Sequence, residues 1–295
     1  MQIQTLSVVV GGSACNATCQ YCVSKLTGCT AGVIQDQKPM EINKRNFNIA
    51  CNFAKQSGVS TVLLTGKGEP LIYQNHITRY LEMLEKWQFP FVELQTNGIL
   101  LTNMKTSILK MWYDAGLTTI SLSCAHWMPS KNKDILGQDT YMARNISKLH
   151  KIGFAVRISC VMVDGYVDNL NKVIQFINWC KCRGVEQFTI RPVGNVSAEE
   201  AGDDEVKNGV RIWIDDHSKF KKSVWQVEQW LDKPENATRL LTLAHGAKVY
   251  DVKGQNISWN SCLTRSDNPD DMRQLIFSSD GHLRYDWVKQ GAILI

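Results

Sequence analysis

Residues 6–22 read LSVVVGGSACNATCQYC. The stretch opens as an apolar, β-branched run, breaks at Gly11–Gly12, and then sets Cys15, Cys19 and Cys22 in a C-x3-C-x2-C array. Such a run predicts a strand, so the thiols fall in the loop that follows it. A closed zinc site takes four protein ligands, usually as two short knuckles far apart in sequence. A ferredoxin-type cluster also takes four cysteines, in a run of different spacing. The nearest further thiol here is Cys29. Three thiolates leave one iron of a [4Fe-4S] cluster without a protein ligand, and an open iron binds a small chelating molecule.

Outward from this loop the chain alternates. Strands are expected at 5–10, 59–65, 91–95, 118–123, 154–163 and 185–191, with helical spacing of apolar residues at 41–57, 74–88, 102–115, 139–151 and 166–183. Gly58, Gly116, Gly153 and Gly184 stand where helix C-caps would fall. Strands alternating with helices imply a parallel sheet with right-handed crossovers. Six such units predict an α/β fold, a (β/α)6 partial TIM barrel over residues 1–195, with its chemistry at the C-terminal ends of the strands. Residues 196–295 break the rhythm. They predict a Trp-containing helix near 218–231 and hairpins at LTLAHGAKVY, NISWNS and RQLIFSSDGHLRYDW, the last turning at Asp280–Gly281, in an α+β extension over the substrate side.

Bulk properties set the class. The chain has 295 residues, 44% hydrophobic and 21% charged, enough to bury one large core or two smaller ones. Its apolar runs fall far short of the ~20 residues that span a bilayer, and MQIQTLS lacks the basic flank of a signal peptide. A cytoplasmic protein without membrane partners is expected. Ten cysteines in a chain of this length point to metal or buried thiols in a reducing compartment rather than to disulfides. A net charge of +5 tilts the expected ligands slightly toward anions.

A second motif, Thr65-Gly66-Lys67-Gly68-Glu69-Pro70, follows the second strand. Glycines there let the backbone approach a ligand, and Glu69 adds an acceptor for an ammonium. With both motifs in place, the sequence resembles the radical S-adenosylmethionine (SAM) superfamily. Its C-x3-C-x2-C motif carries an aromatic before the last cysteine, here Tyr21, and its glycine-rich motif has a GxGEP variant, here Gly66, Gly68, Glu69 and Pro70. The resemblance implies that Cys15, Cys19 and Cys22 hold a [4Fe-4S] cluster, that SAM chelates its fourth iron, and that SAM is cleaved to a 5′-deoxyadenosyl radical that abstracts hydrogen from a substrate. It also implies an external one-electron reductant such as flavodoxin or ferredoxin.

The resemblance continues along the strands. Asn97 falls in a family-like TNG, and Ser121 and Ser123 occupy positions where relatives aim a hydroxyl at SAM. RISCVMVDGYVDNL and FTIRPVGN resemble the GTP 3′,8-cyclase branch of molybdenum-cofactor biosynthesis, with Ser159 in place of an asparagine and Arg191 directed at the pocket. The cyclases continue with auxiliary-cluster cysteines near the C-terminus. This chain has Asp286 at the corresponding place and only Cys262 of an upstream pair, which speaks against an auxiliary cluster and GTP cyclisation.

Six histidines lack metal spacing. His126, in the CAHWMP loop after the fourth strand, is a candidate proton or hydrogen-bond donor to substrate. The favoured substrate is a nucleotide, modified nucleobase or nucleic acid, with peptide modification as the alternative. From another class, Cys15, Cys19, Cys22 and Cys29 would make a zinc-binding interaction protein.

Overall fold

The computed structural model describes residues 3–26, 41–194, 205–243, 246–260, 272–287 and 289–295, with 205–208 by backbone alone. Cys29, His245 and Cys262 lie outside the described residues.

The predicted alternation is present with ends shifted by a few residues. Strands β1 Thr5–Val9, β2 Thr61–Thr65, β3 Phe91–Thr96, β4 Thr119–Ser123, β5 Ala155–Met162 and β6 Gln187–Pro192 alternate with α1 Val23–Leu26, α2 Lys44–Gln56, α3 Gln74–Leu84, α4 Thr106–Asp114, α5 Pro129–Leu136, α6 Met142–His150 and α7 Leu170–Lys181. Beyond β6 come α8 Glu205–Asp216, α9 Lys221–Leu231, β7 Thr238–Thr242, β8 Lys248–Val252, β9 Gln255–Trp259, β10 Gln274–Phe277 and β11 Leu283–Arg284. Gly58, Gly116, Gly153 and Gly184 all have positive φ, which ends α2, α4, α6 and α7 at no steric cost.

β1 to β6 pair in sequence order, all parallel. Each strand shows why it pairs where it does. In β5, Val156, Ile158, Cys160 and Met162 are fully buried on the helix side, while Arg157, Ser159 and Val161 alternate with them on the other face. The same period of two places Glu93 and Gln95 of β3, Ser121 and Ser123 of β4, and Thr189 and Arg191 of β6 on the inner face. Cross-strand partners Gln95 with Ser121, Ser123 with Ser159, and Val161 with Arg191 form the walls of this partial barrel. Below them, Arg157 Nη1 reaches Glu93 Oε2 at 2.9 Å, and its Nε–H donates to Gln187 Oε1 at 2.9 Å.

The C-terminal hairpins are antiparallel as expected. β8 and β9 are joined by Lys253–Gly254, both at positive φ, the conformation that a two-residue hairpin turn requires. Their placement is new. β9 pairs parallel with β6 and β10 pairs parallel with β1, so both edges of the barrel sheet are extended within one sheet, eleven-stranded among the described residues. Among the described residues no helix is long and apolar enough to cross a membrane.

Candidate active site

The cysteine loop leaves β1 and is held from three sides. The Glu69 amide donates to the Ala14 carbonyl at 2.9 Å, and the Thr18 amide donates to the Leu136 carbonyl at 3.0 Å. Asn97 Nδ2 donates to Asn16 Oδ1 at 2.7 Å and lies 3.9 Å from Cys15 Sγ. Close approach requires glycine at two of these contacts. A Cβ at Gly68 would lie 2.0 Å from the Ala14 oxygen, and one at Gly137 would lie 2.2 Å from Thr18 Oγ1.

The Glu69 carboxylate is buried and accepts three hydrogen bonds. Oε1 takes the Leu71 amide at 2.9 Å and the Thr96 hydroxyl at 2.5 Å, and Oε2 takes the Asn97 amide at 2.8 Å. It thus ties the glycine loop to the end of β3. Burial raises its pKa against the opposing pull of those bonds. One lone-pair site on Oε2 remains for an ammonium.

These loops and the strand ends enclose a cavity of about 1180 Å³, counting its open mouth. Cys15, Cys19, Tyr21, Cys22, Gly66, Gly68, Glu69, Pro70, Asn97, Ser123, Ser159 and Arg191 all line it. Two expected residues do not. Ser121 lies on the same face of β4 as Ser123 but is buried one step deeper. His126 is buried outside the cavity wall: its ring stacks on Trp127 at 3.9 Å, and Nδ1 accepts the Met128 amide at 3.0 Å. Burial, with Lys172 and Lys131 nearby, lowers its pKa to about 4. The loop after β4 turns away from the mouth because the Asn132 side chain accepts the Ala125 amide and folds the loop onto α5.

Gln95, Val161 and Val193 line the cavity without having been anticipated. Strand alternation would have found Gln95 and Val161, since each lies two residues from another inner-face position. Trp213 lies on α8. It meets the Tyr21 ring at 6.2 Å and lies flat on His217 at 3.9 Å. Helix α8 therefore packs against the cysteine loop.

The donor set fits an iron–sulfur cluster. Burial first, then the mutual repulsion of the thiolates, pushes Cys19 up to about 12, and burial raises Cys15 as well. Three thiolates on one wall repel one another, and a bound metal relieves that repulsion. Beside Cys15, Asn16 Nδ2 is buried without a partner among the described residues. Among the described residues no three His, Cys, Asp or Glu side chains group around a position for a single ion, whereas each thiolate of a cubane binds a different iron.

Comparison with known proteins agrees with this geometry. The profile of the Radical SAM superfamily matches residues 9–180. The 7-carboxy-7-deazaguanine synthase of Clostridium acetobutylicum is 32% identical over 93 residues, covering 32% of this chain and 38% of that protein. Streptococcus suis SuiB bound to precursor peptide SuiA superposes with a TM-score of 0.63 at 14% identity, covering 96% of this chain and 59% of that one. Histidine-tagged anSMEcpe with bound AdoMet gives 0.60 at 15%, covering 99% and 74%. At these identities the structures establish the fold. The likeness is to the superfamily and not specifically to the cyclase branch.

Proposed function

Because this chain belongs to the radical SAM superfamily, we propose that its cavity binds SAM beside a [4Fe-4S] cluster on Cys15, Cys19 and Cys22 and directs hydrogen abstraction at a nucleotide, modified nucleobase or nucleic acid. The observation that carries this reading is the convergence of the cysteine loop and the Gly66–Pro70 loop on one wall, joined through Ala14 and Glu69. When bound, cluster and SAM together supply a carbon radical able to remove an unactivated hydrogen.

The chain's own residues bind and orient. Gly66 and Gly68 allow the backbone to approach the methionyl end of SAM, with the free acceptor site of Glu69 Oε2 for its ammonium. Asn97 positions Cys15. Ser123, Ser159 and Gln95 offer hydrogen bonds across the barrel. The Arg191 guanidinium makes no hydrogen bond or ion pair among the described residues and lines the cavity, so it suits a carboxylate or phosphate. Leu136, Val161 and Val193 exclude water from the reacting centre. We assign residues 1–195 to the barrel and 196–295 to the extension that covers the substrate side, with α8 against Tyr21 in support. An external one-electron reductant completes the cycle, and a reducing cytoplasm suits the thiols.

Substrate class rests on the deazaguanine synthase relative, the absence of an auxiliary-cluster cysteine at position 286 and the resemblance of strands β5 and β6 to a nucleotide-cyclising branch. The peptide reading draws on the fold shared with SuiB, whose structure holds a precursor peptide. Family membership removes the zinc-interaction alternative. Deuterium transfer from labelled candidates into 5′-deoxyadenosine tests the proposal. Label is expected from a nucleotide or nucleic acid; label from peptides alone would overturn the substrate class.

A further inference from the structure

Helix α6 carries a row of cations outside the cavity. Arg144, Lys148 and Lys151 are spaced i, i+4, i+7, so they share one face. With Thr102, Thr106, Ser147 and Ile152 they line a groove of about 840 Å³, counting its open mouth, between α6 and the start of α4. No carboxylate lines it.

No carboxylate in the groove balances these charges. Arg144 and Lys151 are exposed and make no side-chain hydrogen bond or ion pair among the described residues. Lys148 is half-buried and donates to the carbonyls of Leu101 at 2.8 Å and Met104 at 2.5 Å, and burial and Arg144 lower its pKa. Both α4 and α6 start without an acidic residue in the first turn and without a side-chain cap. Arg144 therefore adds positive charge where a helix dipole already disfavours it. Like charges at this spacing destabilise a helix on their own, and a bound polyanion removes that cost. Lys148 and Lys151, near the end of α6, also complement its dipole, but Arg144 has no such compensation.

We propose that this groove binds the phosphate backbone of a single-stranded nucleic acid. The row spans about 10 Å along α6, long enough to meet more than one phosphate of a strand. Helix α6 is also tied to the loop that borders the cavity. Asn145 of α6 donates to the Gly98 carbonyl at 2.9 Å, and Gly98 adjoins Asn97, which borders Cys15. This inference extends the nucleic-acid branch of the substrate reading above and rests on it for its biological sense.

Fluorescence anisotropy with a labelled single-stranded oligonucleotide, full-length protein and a salt series of roughly 50–200 mM tests the groove. Wild type is expected to bind, and R144Q/K151Q to weaken binding roughly tenfold at low salt and to reduce the log–log salt slope by about 1.4, two contacts at about 0.7 each. R144K/K151R is expected to restore both. Unchanged affinity in R144Q/K151Q, no binding by wild type, or a loss seen only with phosphatidylserine vesicles would each overturn the proposal. Deuterium transfer from a free nucleotide without oligonucleotide binding would remove this inference and keep the substrate reading. Groove-dependent binding without transfer from any nucleic-acid component would do the reverse.

Discussion

A methyl group at position 68 would stand 2.0 Å from a backbone oxygen of the cysteine loop, so Gly68 is where two motifs become one site. Gly68→Ala is expected to push the loop off its seat, lowering iron and sulfide per chain well below wild type while shifting the melting temperature only modestly, because the clash is local. Full iron loading in the variant would show that the contact is dispensable. The need for glycine here was legible in GKGEP, but the group it approaches was not; nothing in the motif points to Ala14. His126 teaches the opposite lesson. Its loop position suggested substrate contact, whereas burial and a backbone hydrogen bond hold its imidazole neutral. With a folded pKa near 4 against an ordinary 6.5, the folded state binds fewer protons than the unfolded state between those values. The stability His126 contributes is present above about pH 6.5 and is lost as pH falls toward 4, by up to roughly 3 kcal/mol. Urea melts between pH 7 and pH 4 should show a shallower decline in His126→Gln; parallel declines would contradict this assignment.

At the scale of elements, alternating strands and glycine-capped helices were readable because each carries its own period. Helices α5 and α8 were not. The first is only eight residues long and begins at Pro129, and the second lies in a polar stretch and packs on α1 and on Tyr21 of the cysteine loop. Pairing between distant strands also escaped the sequence. Glu93 and Arg157 lie on β3 and β5, separated by β4, and their 2.9 Å ion pair crosses the inner face with Glu93 3% exposed and Arg157 32%. Arg157→Met should strand the buried carboxylate and cost about 2–3 kcal/mol, below the ~3–5 of a fully buried pair because the arginine is partly solvated. Adding Glu93→Met should recover most of that loss. Chemical denaturation of the two single variants and the double variant measures the coupling, and additive losses would mean that the pair does not act as a unit.

For the whole molecule, the expected extension is woven into the barrel sheet through β9 on β6 and β10 on β1. Phe277 of β10 packs edge-on against Phe47 of α2 at 5.1 Å, so the last strands contribute to the same core as the first. A chain ending at residue 271 should lose that packing and bare the edge of β1, an aggregation site. It is expected in the insoluble fraction or without near-UV dichroism; a soluble, cooperatively melting product would show that the barrel is autonomous. Sequence alone determined the strand–helix rhythm, the three thiols after β1 and the glycine loop after β2, because local periodicity and covalent spacing are properties of short segments. Only the tertiary structure decided that Asn97, Ser159 and Arg191 line the same cavity as those thiols, that His126 does not, and that the C-terminal strands flank the barrel. Those outcomes depend on which strand edges meet and which side chains find buried partners, and no short segment contains that information.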